Sequence, residues 1–127
     1  MTHKQIVVLA VFTSVLFYAI AFGLLETAHA GINVERLANA IYKAENSKAH
    51  PYGILQHYRH TTPRQACINT IRHRLNDYNR EGRKGSDNDF IAYLGRFYAP
   101  LHVSNDPSGL NRFWIANVQR IYKGMIK

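Results

Sequence analysis

Four stretches with helical periodicity, and no convincing strand alternation, are the feature that most limits how this chain can fold. They begin near residues 33, 62, 87 and 106, and each places apolar side chains three or four positions apart. The chain has 127 residues and a single cysteine, Cys67, which cannot form an internal disulfide. The sequence therefore predicts a small all-α domain that its hydrophobic core holds together.

Residues 1–30 have the pattern of an export signal. Lys4 precedes an apolar run over residues 6–25, and Ala28-His29-Ala30 has the small residues that a signal peptidase recognises. The run is also close to the ~20 residues that span a bilayer. Two alternatives follow, a signal peptide cleaved after Ala30 or an uncleaved inner-membrane anchor. Either one predicts a domain of residues 31–127 that is periplasmic or secreted.

The formal net charge of +8 predicts an anionic partner. Outside the cytoplasm that partner is rarely nucleic acid, so we expect peptidoglycan glycan strands or anionic lipid, and an envelope machine as a further partner. The arginines of the second helical pattern are expected to form a solvated basic face.

The helix boundaries can be predicted from capping residues. Thr62, Pro63 and Gln65 predict a helix start with a capping box, and Gly82 its end. The third helix should start near Asp87 or Asp89 and stop before Pro100.

The apolar stripes predict these buried side chains: Cys67, Ile68, Ile71, Leu75 and Tyr78 in the second helix; Ile91 and Leu94, or Phe90 and Tyr93, with Phe97 in the third; Leu110, Trp114, Val118 and Ile121 in a fourth that follows Asp106-Pro107. Residues 46–61 are predicted to form an ordered loop.

Glu45 is the residue whose position points most directly to chemistry. It continues the stripe of Val34, Leu37 and Ile41 at the end of the first helix, over residues 33–45. Partial burial and the negative end of the helix dipole both disfavour an ionised carboxylate there, so the group is suited to act as a general acid. The alternative is a surface carboxylate that pairs with Lys48 or Arg59.

Ala44-Glu45-Asn46, followed by Tyr52-Gly53-Ile54-Leu55-Gln56, resembles the lysozyme-like superfamily, and within it the soluble lytic transglycosylases. In that family a helix ends at the catalytic glutamate and a Gly-[Leu/Ile/Met]-Met-Gln segment follows. Residues 90–100 and 105–117 are also similar to small muramidase-like domains. Asn46 stands where serine is usual and Leu55 where methionine is usual. The Ala-Tyr-Asn-Ala-Gly segment is absent, and Tyr93 or Tyr98 is its nearest substitute.

The resemblance implies a peptidoglycan-cleaving enzyme, a glycosidase of the cell wall, that uses Glu45 as acid and base and needs no cofactor. The residues expected to bind the substrate are Tyr52, Gly53, Ile54, Gln56, His57, Tyr93, Tyr98 and Asn111. It further implies that the 6-hydroxyl of the muramic acid attacks its own anomeric carbon and gives a 1,6-anhydro sugar. Hydrolysis by a muramidase would instead need a second acid, about 6.5 to 9.5 Å away for inversion. Asp87, Asp89 and Asp106 are the candidates, but each is expected to cap a helix.

Other functions remain open at this point. The same scaffold could be a non-catalytic peptidoglycan-binding or envelope-assembly module, and an unrelated helical protein could bind anionic membranes. A zinc site is not expected, because His57 and His60 lie in a loop without the HExxH arrangement. Trp114 is expected to be a core residue, since it shares a stripe with Leu110 and Val118.

Overall fold

In the computed structural model, which describes residues 31–126, every regular element is a helix. There are four α-helices in this part of the chain: α1 (Val34–Glu45), α2 (Pro63–Arg80), α3 (Asp87–Tyr98) and α4 (Trp114–Gly124). Short 3₁₀ turns precede α2 and α4, at Pro51–Gly53 and Leu110–Phe113. The predicted all-α class is therefore confirmed for the described residues.

The predicted export signal lies in residues 1–30, outside the described part of the chain. Among the helices of residues 31–126, none is both long and apolar enough to cross a membrane.

Three helix starts are fixed by side-chain caps. The side chain of Asn33 accepts a hydrogen bond from Arg36 N at 2.9 Å, and Thr62 Oγ1 accepts one from Gln65 N at 3.1 Å. Ser86 and Asp89 form a reciprocal capping box at the start of α3. The capping box predicted for Gln65 is only half formed, because its Nε2 donates instead to Asn69 one turn further along α2, at 2.8 Å. Each cap contributes about 1 kcal/mol to stability.

The core lies where all four helices meet. α1 packs against α2, α4 and the Pro51–Gly53 turn, and α3 packs against α2 and α4. The fully buried large side chains are Leu37, Ile41, Cys67, Ile68, Ile71, Phe90, Ile91, Leu94, Val118 and Tyr122. Most of the predicted stripes are therefore confirmed, with Leu75 and Ile121 only half-buried at the margin.

The predicted burial of two core residues, Phe97 and Leu110, is wrong. Phe97 is 46% exposed, because the Arg74 guanidinium, 3.9 Å from the centre of its ring, and not the apolar core covers the face of that ring. Leu110 is 63% exposed, because it belongs to the 3₁₀ turn and so falls off the stripe that α4 presents to the core. On α4, Tyr122 fills the core instead.

The loop after α1 brings the chain back across the end of that helix. Asn46 caps the end of α1: its backbone is left-handed (φ 43°), and its N–H donates a hydrogen bond to Tyr42 O. The Pro51–Gly53 turn then contacts both α1 and α2. This return places Gly53 beside Glu45.

Candidate active site

The Glu45 carboxyl group is held by a hydrogen bond from a residue that lies 69 positions later in the chain. Glu45 is the last residue of α1 and is half-buried, and Trp114 is the first residue of α4. The indole Nε1–H of Trp114 donates to Glu45 Oε1 at 2.8 Å. Since Trp114 is itself only 7% exposed, the donor is rigidly placed. No ion pair joins Glu45 to Lys48 or Arg59 in residues 31–126, so the predicted surface pairing is not formed.

Gly53 lies directly against the same carboxyl group. A Cβ atom at this position would be 2.9 Å from Glu45 Cδ and Oε1 and 3.2 Å from Oε2, closer than side chains pack. The backbone of Gly53 also has a φ of +67°, which glycine adopts without strain. Only glycine therefore lets the loop approach the carboxyl group this closely.

Tyr98 connects the two features that hold Glu45, the Trp114 indole and the turn at Gly53. Its ring stacks on Trp114, with centroids 5.2 Å apart and planes at 24°. Its hydroxyl donates a hydrogen bond to the carbonyl oxygen of Tyr52, the residue before Gly53. Burial raises the pKa of Tyr98, so its phenol stays protonated and remains a donor over the whole physiological range. One side chain thus supports both the indole and the glycine turn.

A two-lobed groove runs past Glu45, and we call it the Glu45 groove. The first lobe, of about 350 Å³, is lined by Ala44, Glu45, Leu110, Asn111, Phe113, Trp114 and Asn117. The second lobe, of about 240 Å³, is lined by Glu45, Ser47, His50, Gly53, Leu55, Tyr98, Ala99, Pro100, Asn105 and Asn111. Glu45 and Asn111 line both lobes, so the carboxyl group stands at the middle of the groove.

The groove combines hydrogen-bonding side chains with apolar surface. The amide side chains of three asparagines offer hydrogen-bond donors and acceptors, while Phe113 and Trp114 offer apolar surface. Glu45 Oε1 is occupied by the indole N–H, whereas Oε2 has no hydrogen-bond partner within residues 31–126. Because no buried polar side-chain atom of that range lacks a partner, Oε2 is open to solvent or ligand. It is therefore the carboxyl oxygen of Glu45 that a ligand can reach.

Among residues 31–126, Glu45 is the only carboxylate that lines either lobe. Asp106 accepts hydrogen bonds from the backbone N–H groups of Leu110 and Asn111, at 2.8 and 3.1 Å, at the start of the 3₁₀ turn. The predicted start of the fourth helix behind Asp106-Pro107 is wrong, because a 3₁₀ turn comes first and α4 begins only at Trp114. Asp89 is the partner of Ser86 in the capping box of α3, as predicted. The predicted capping role of Asp87 is wrong: Asp87 is the first residue of that helix, and the residue that caps it is Ser86.

The residues predicted to bind substrate are only partly brought together. Gly53, Tyr98 and Asn111 line the groove. Tyr52 contributes its carbonyl to Tyr98 while its ring packs on Tyr42, and Ile54 is half-buried beside it. Gln56 and His57 are exposed and line neither lobe.

Tyr93 lies in a different part of the domain. It is 5% exposed, packs edge-on against Tyr78, and donates a hydrogen bond to Glu81 Oε1 at 3.0 Å. Tyr98, and not Tyr93, is therefore the tyrosine near Glu45.

Trp114 is the residue whose role the sequence analysis missed. Its expected burial is confirmed, but its N–H also binds Glu45. The signal was present in the spacing of Asn111, Trp114 and Asn117, all three of which line the first lobe. Phe113, His50 and Asn105 also line the groove without having been predicted to do so.

Within residues 31–126, no three His, Cys, Asp or Glu side chains come together in a way that would hold a metal ion. Comparison with protein-family models, with curated proteins and with solved structures finds no match to this chain.

Proposed function

We propose that this chain is an exported peptidoglycan-cleaving enzyme of the lysozyme-like type, a lytic transglycosylase in which Glu45 is the single catalytic acid and base. The observation that carries the proposal is the Glu45 carboxyl group, held by Trp114 and Gly53 at the middle of a groove. The resemblance of residues 44–46 and 52–56 to the lytic transglycosylases points to the same residue.

The position of Glu45 supports a two-step reaction on the bond between N-acetylmuramic acid and N-acetylglucosamine. Protonated Oε2 gives its proton to the glycosidic oxygen as the bond from that oxygen to the anomeric carbon breaks. The resulting carboxylate then takes the proton of the 6-hydroxyl while O6 attacks the anomeric carbon. The proton returns to Glu45, and the product is a 1,6-anhydro sugar.

The lack of a second carboxylate in the described groove favours this route over hydrolysis. Inverting hydrolysis needs a base that activates water across the sugar ring. Of the three aspartates considered above, Asp106 uses both of its oxygens to accept backbone hydrogen bonds. An intramolecular hydroxyl needs no such base, and the acetamido group of the substrate can assist as the bond breaks.

The net charge of the chain supports an anionic polymer as substrate. With +8 at neutral pH, the protein attracts the carboxylates of the wall at long range. Residues 1–30 would deliver the enzyme to the periplasm or the cell exterior, either released or held at the inner membrane.

The test is the release of muropeptides from purified cell wall, analysed by mass spectrometry. We expect wild-type protein to release 1,6-anhydro products and Glu45→Gln to lose activity by at least about 100-fold, in the range expected when a general acid is removed. The side-chain amide oxygen of this variant can still accept the Trp114 hydrogen bond, so the variant should fold.

The matched control is Glu35→Gln, which changes the same residue type on the exposed first turn of α1. It should keep full activity. Reducing-end products would make the enzyme a muramidase, and equal activity of Glu45→Gln and wild type would refute the catalytic role. Tight wall binding without any release would leave only a binding module.

A further inference from the structure

A second pocket adjoins the Glu45 groove and has a different chemical character. It encloses about 370 Å³, and its walls are largely apolar, formed by Ala99, Pro100, Leu101 and Ile115. Two arginines also line it, Arg96 from α3 and Arg112 from the 3₁₀ turn before α4. We call it the arginine pocket.

The wall between this pocket and the groove is thin. Ala99, Pro100 and Asn111 line both the arginine pocket and the second lobe. The wall is closed by one hydrogen bond, from Asn111 Nδ2 to Pro100 O at 2.8 Å. A group attached to a sugar in the groove therefore needs to reach only across Asn111 to enter the arginine pocket.

The two arginines are available for a ligand. Both are exposed, and neither pairs with a carboxylate in residues 31–126. Several other arginines of the same range are paired, as in Arg64 with Glu35 and Arg83 with Glu81. The Arg112 guanidinium lies 4.7 Å from the centre of the Phe113 ring, which restricts its position. Unpaired cations beside an apolar cavity fit a ligand that is small, apolar and anionic.

We propose that the arginine pocket binds the acidic peptide stem of the glycan strand. This inference rests on the proposed function, because the stem is attached to the muramic acid whose bond Glu45 would cleave. Its first residue, alanine, has a methyl group suited to the apolar walls, and the following glutamate has a free carboxylate for Arg96 and Arg112. The enzyme would then prefer strands that carry stems to bare strands.

The experiment compares two forms of one substrate, glycan strands with their stems and the same strands stripped by an amidase. We test two single variants of the full chain, Arg96→Gln and Arg112→Gln. For each one we expect kcat/KM on stem-bearing strands to fall about tenfold, as for the loss of one charge-assisted hydrogen bond. The value on stripped strands should not change. Arg120→Gln, an exposed arginine of α4 that does not line the pocket, is the charge-matched control.

A binding measurement separates this inference from the proposed function. The peptide N-acetyl-Ala-γ-Glu-Lys, amidated at its C-terminus, should shift the NMR signals of the Ile115 methyl groups. Its isoglutamine counterpart should bind at least about tenfold more weakly, since it lacks the carboxylate of the glutamate. If wild type is active but no stem preference or peptide binding appears, the pocket assignment is overturned and the proposed function stands. Equal losses on both strand types, or an equal effect of Arg120→Gln, would also overturn it. Peptide binding by a protein that releases no muropeptides would refute the proposed function and leave the pocket assigned to acidic peptides.

Discussion

Gly53→Ala tests the packing that we infer to fix the Glu45 carboxyl group. The new Cβ would lie 2.9 Å from Glu45 Cδ, whereas ordinary contact begins at 3.4 Å. The carboxyl group must therefore move by about 0.5 Å, or the loop must move away from it. Either change strains the 2.8 Å hydrogen bond from Trp114.

The expected loss of unfolding free energy in Gly53→Ala has two components. Alanine in the left-handed region costs about 1 to 2 kcal/mol. A weakened hydrogen bond to a charged group adds up to about 1.5 to 3 kcal/mol. We therefore expect the free energy of unfolding to fall by about 1 to 5 kcal/mol. Muropeptide release should fall tenfold to a hundredfold, because misplacing a reacting group by ~1 Å has effects of that size.

Gly82→Ala is the matched control. Gly82 has nearly the same backbone conformation, with a φ of +68°, but a Cβ there would meet nothing within 4 Å. This variant should lose about 1 to 2 kcal/mol from backbone strain alone and keep its activity.

The assay combines urea unfolding, muropeptide release and the NMR signal of the indole N–H. Trp114 is the only tryptophan of the chain, so that signal reports on its bond to Glu45 without ambiguity. If Gly53→Ala retains the wild-type indole signal and turnover, or if Gly82→Ala loses as much activity, the reasoning is refuted.

Two further predictions follow from the same neighbourhood. Trp114→Phe keeps an aromatic ring but removes the donor to Glu45, so we expect about 1.5 to 3 kcal/mol lower stability and at least a tenfold lower kcat, and wild-type turnover would contradict this. Burial raises the pKa of the Cys67 thiol from 9.0 to about 11, so the folded state favours the neutral thiol. That contribution is complete below pH 9 and is lost as the pH rises to 11. The difference in unfolding free energy between wild type and Cys67→Ala should therefore shrink by about 2 to 3 kcal/mol over this interval, and a pH-independent difference would count against it.

The helices could be predicted from the sequence because their signals are local. Thr62 and Pro63 start α2 as expected, and Gly82 follows its end, because capping depends on residues within one turn. Leu110 and Phe97 were misplaced for a different reason. Periodicity assigns a side chain to a face of an ideal helix, but it cannot show where a 3₁₀ turn replaces α-helix, as at Leu110, or where a charged side chain covers an aromatic face, as Arg74 does at Phe97.

The candidate site was only half predictable, for the same physical reason. Glu45 and Gly53 are close in sequence, and their association could be inferred from the stripe and the motif. The hydrogen bond from Trp114 joins residues 69 positions apart, so it depends on how α1 and α4 pack. Gln56 and His57 are nearer in sequence but lie outside the groove. Tyr52 and Gly53 both have left-handed backbones, and these redirect the chain before it reaches Gln56 and His57.

Tyr52 shows how the fold maintains this geometry. A tyrosine with a φ of 61° costs about 1 to 2 kcal/mol relative to an extended residue, so neighbouring contacts must hold it there. Its ring packs on Tyr42 of α1, and its carbonyl accepts the hydrogen bond from Tyr98 of α3. The strained turn is thus fixed by two helices of the core, and Tyr98 is stacked on the tryptophan that binds Glu45. Because the turn, the indole and the carboxyl group share these supports, a loss of packing at Tyr98 should disturb both contacts of Glu45 together.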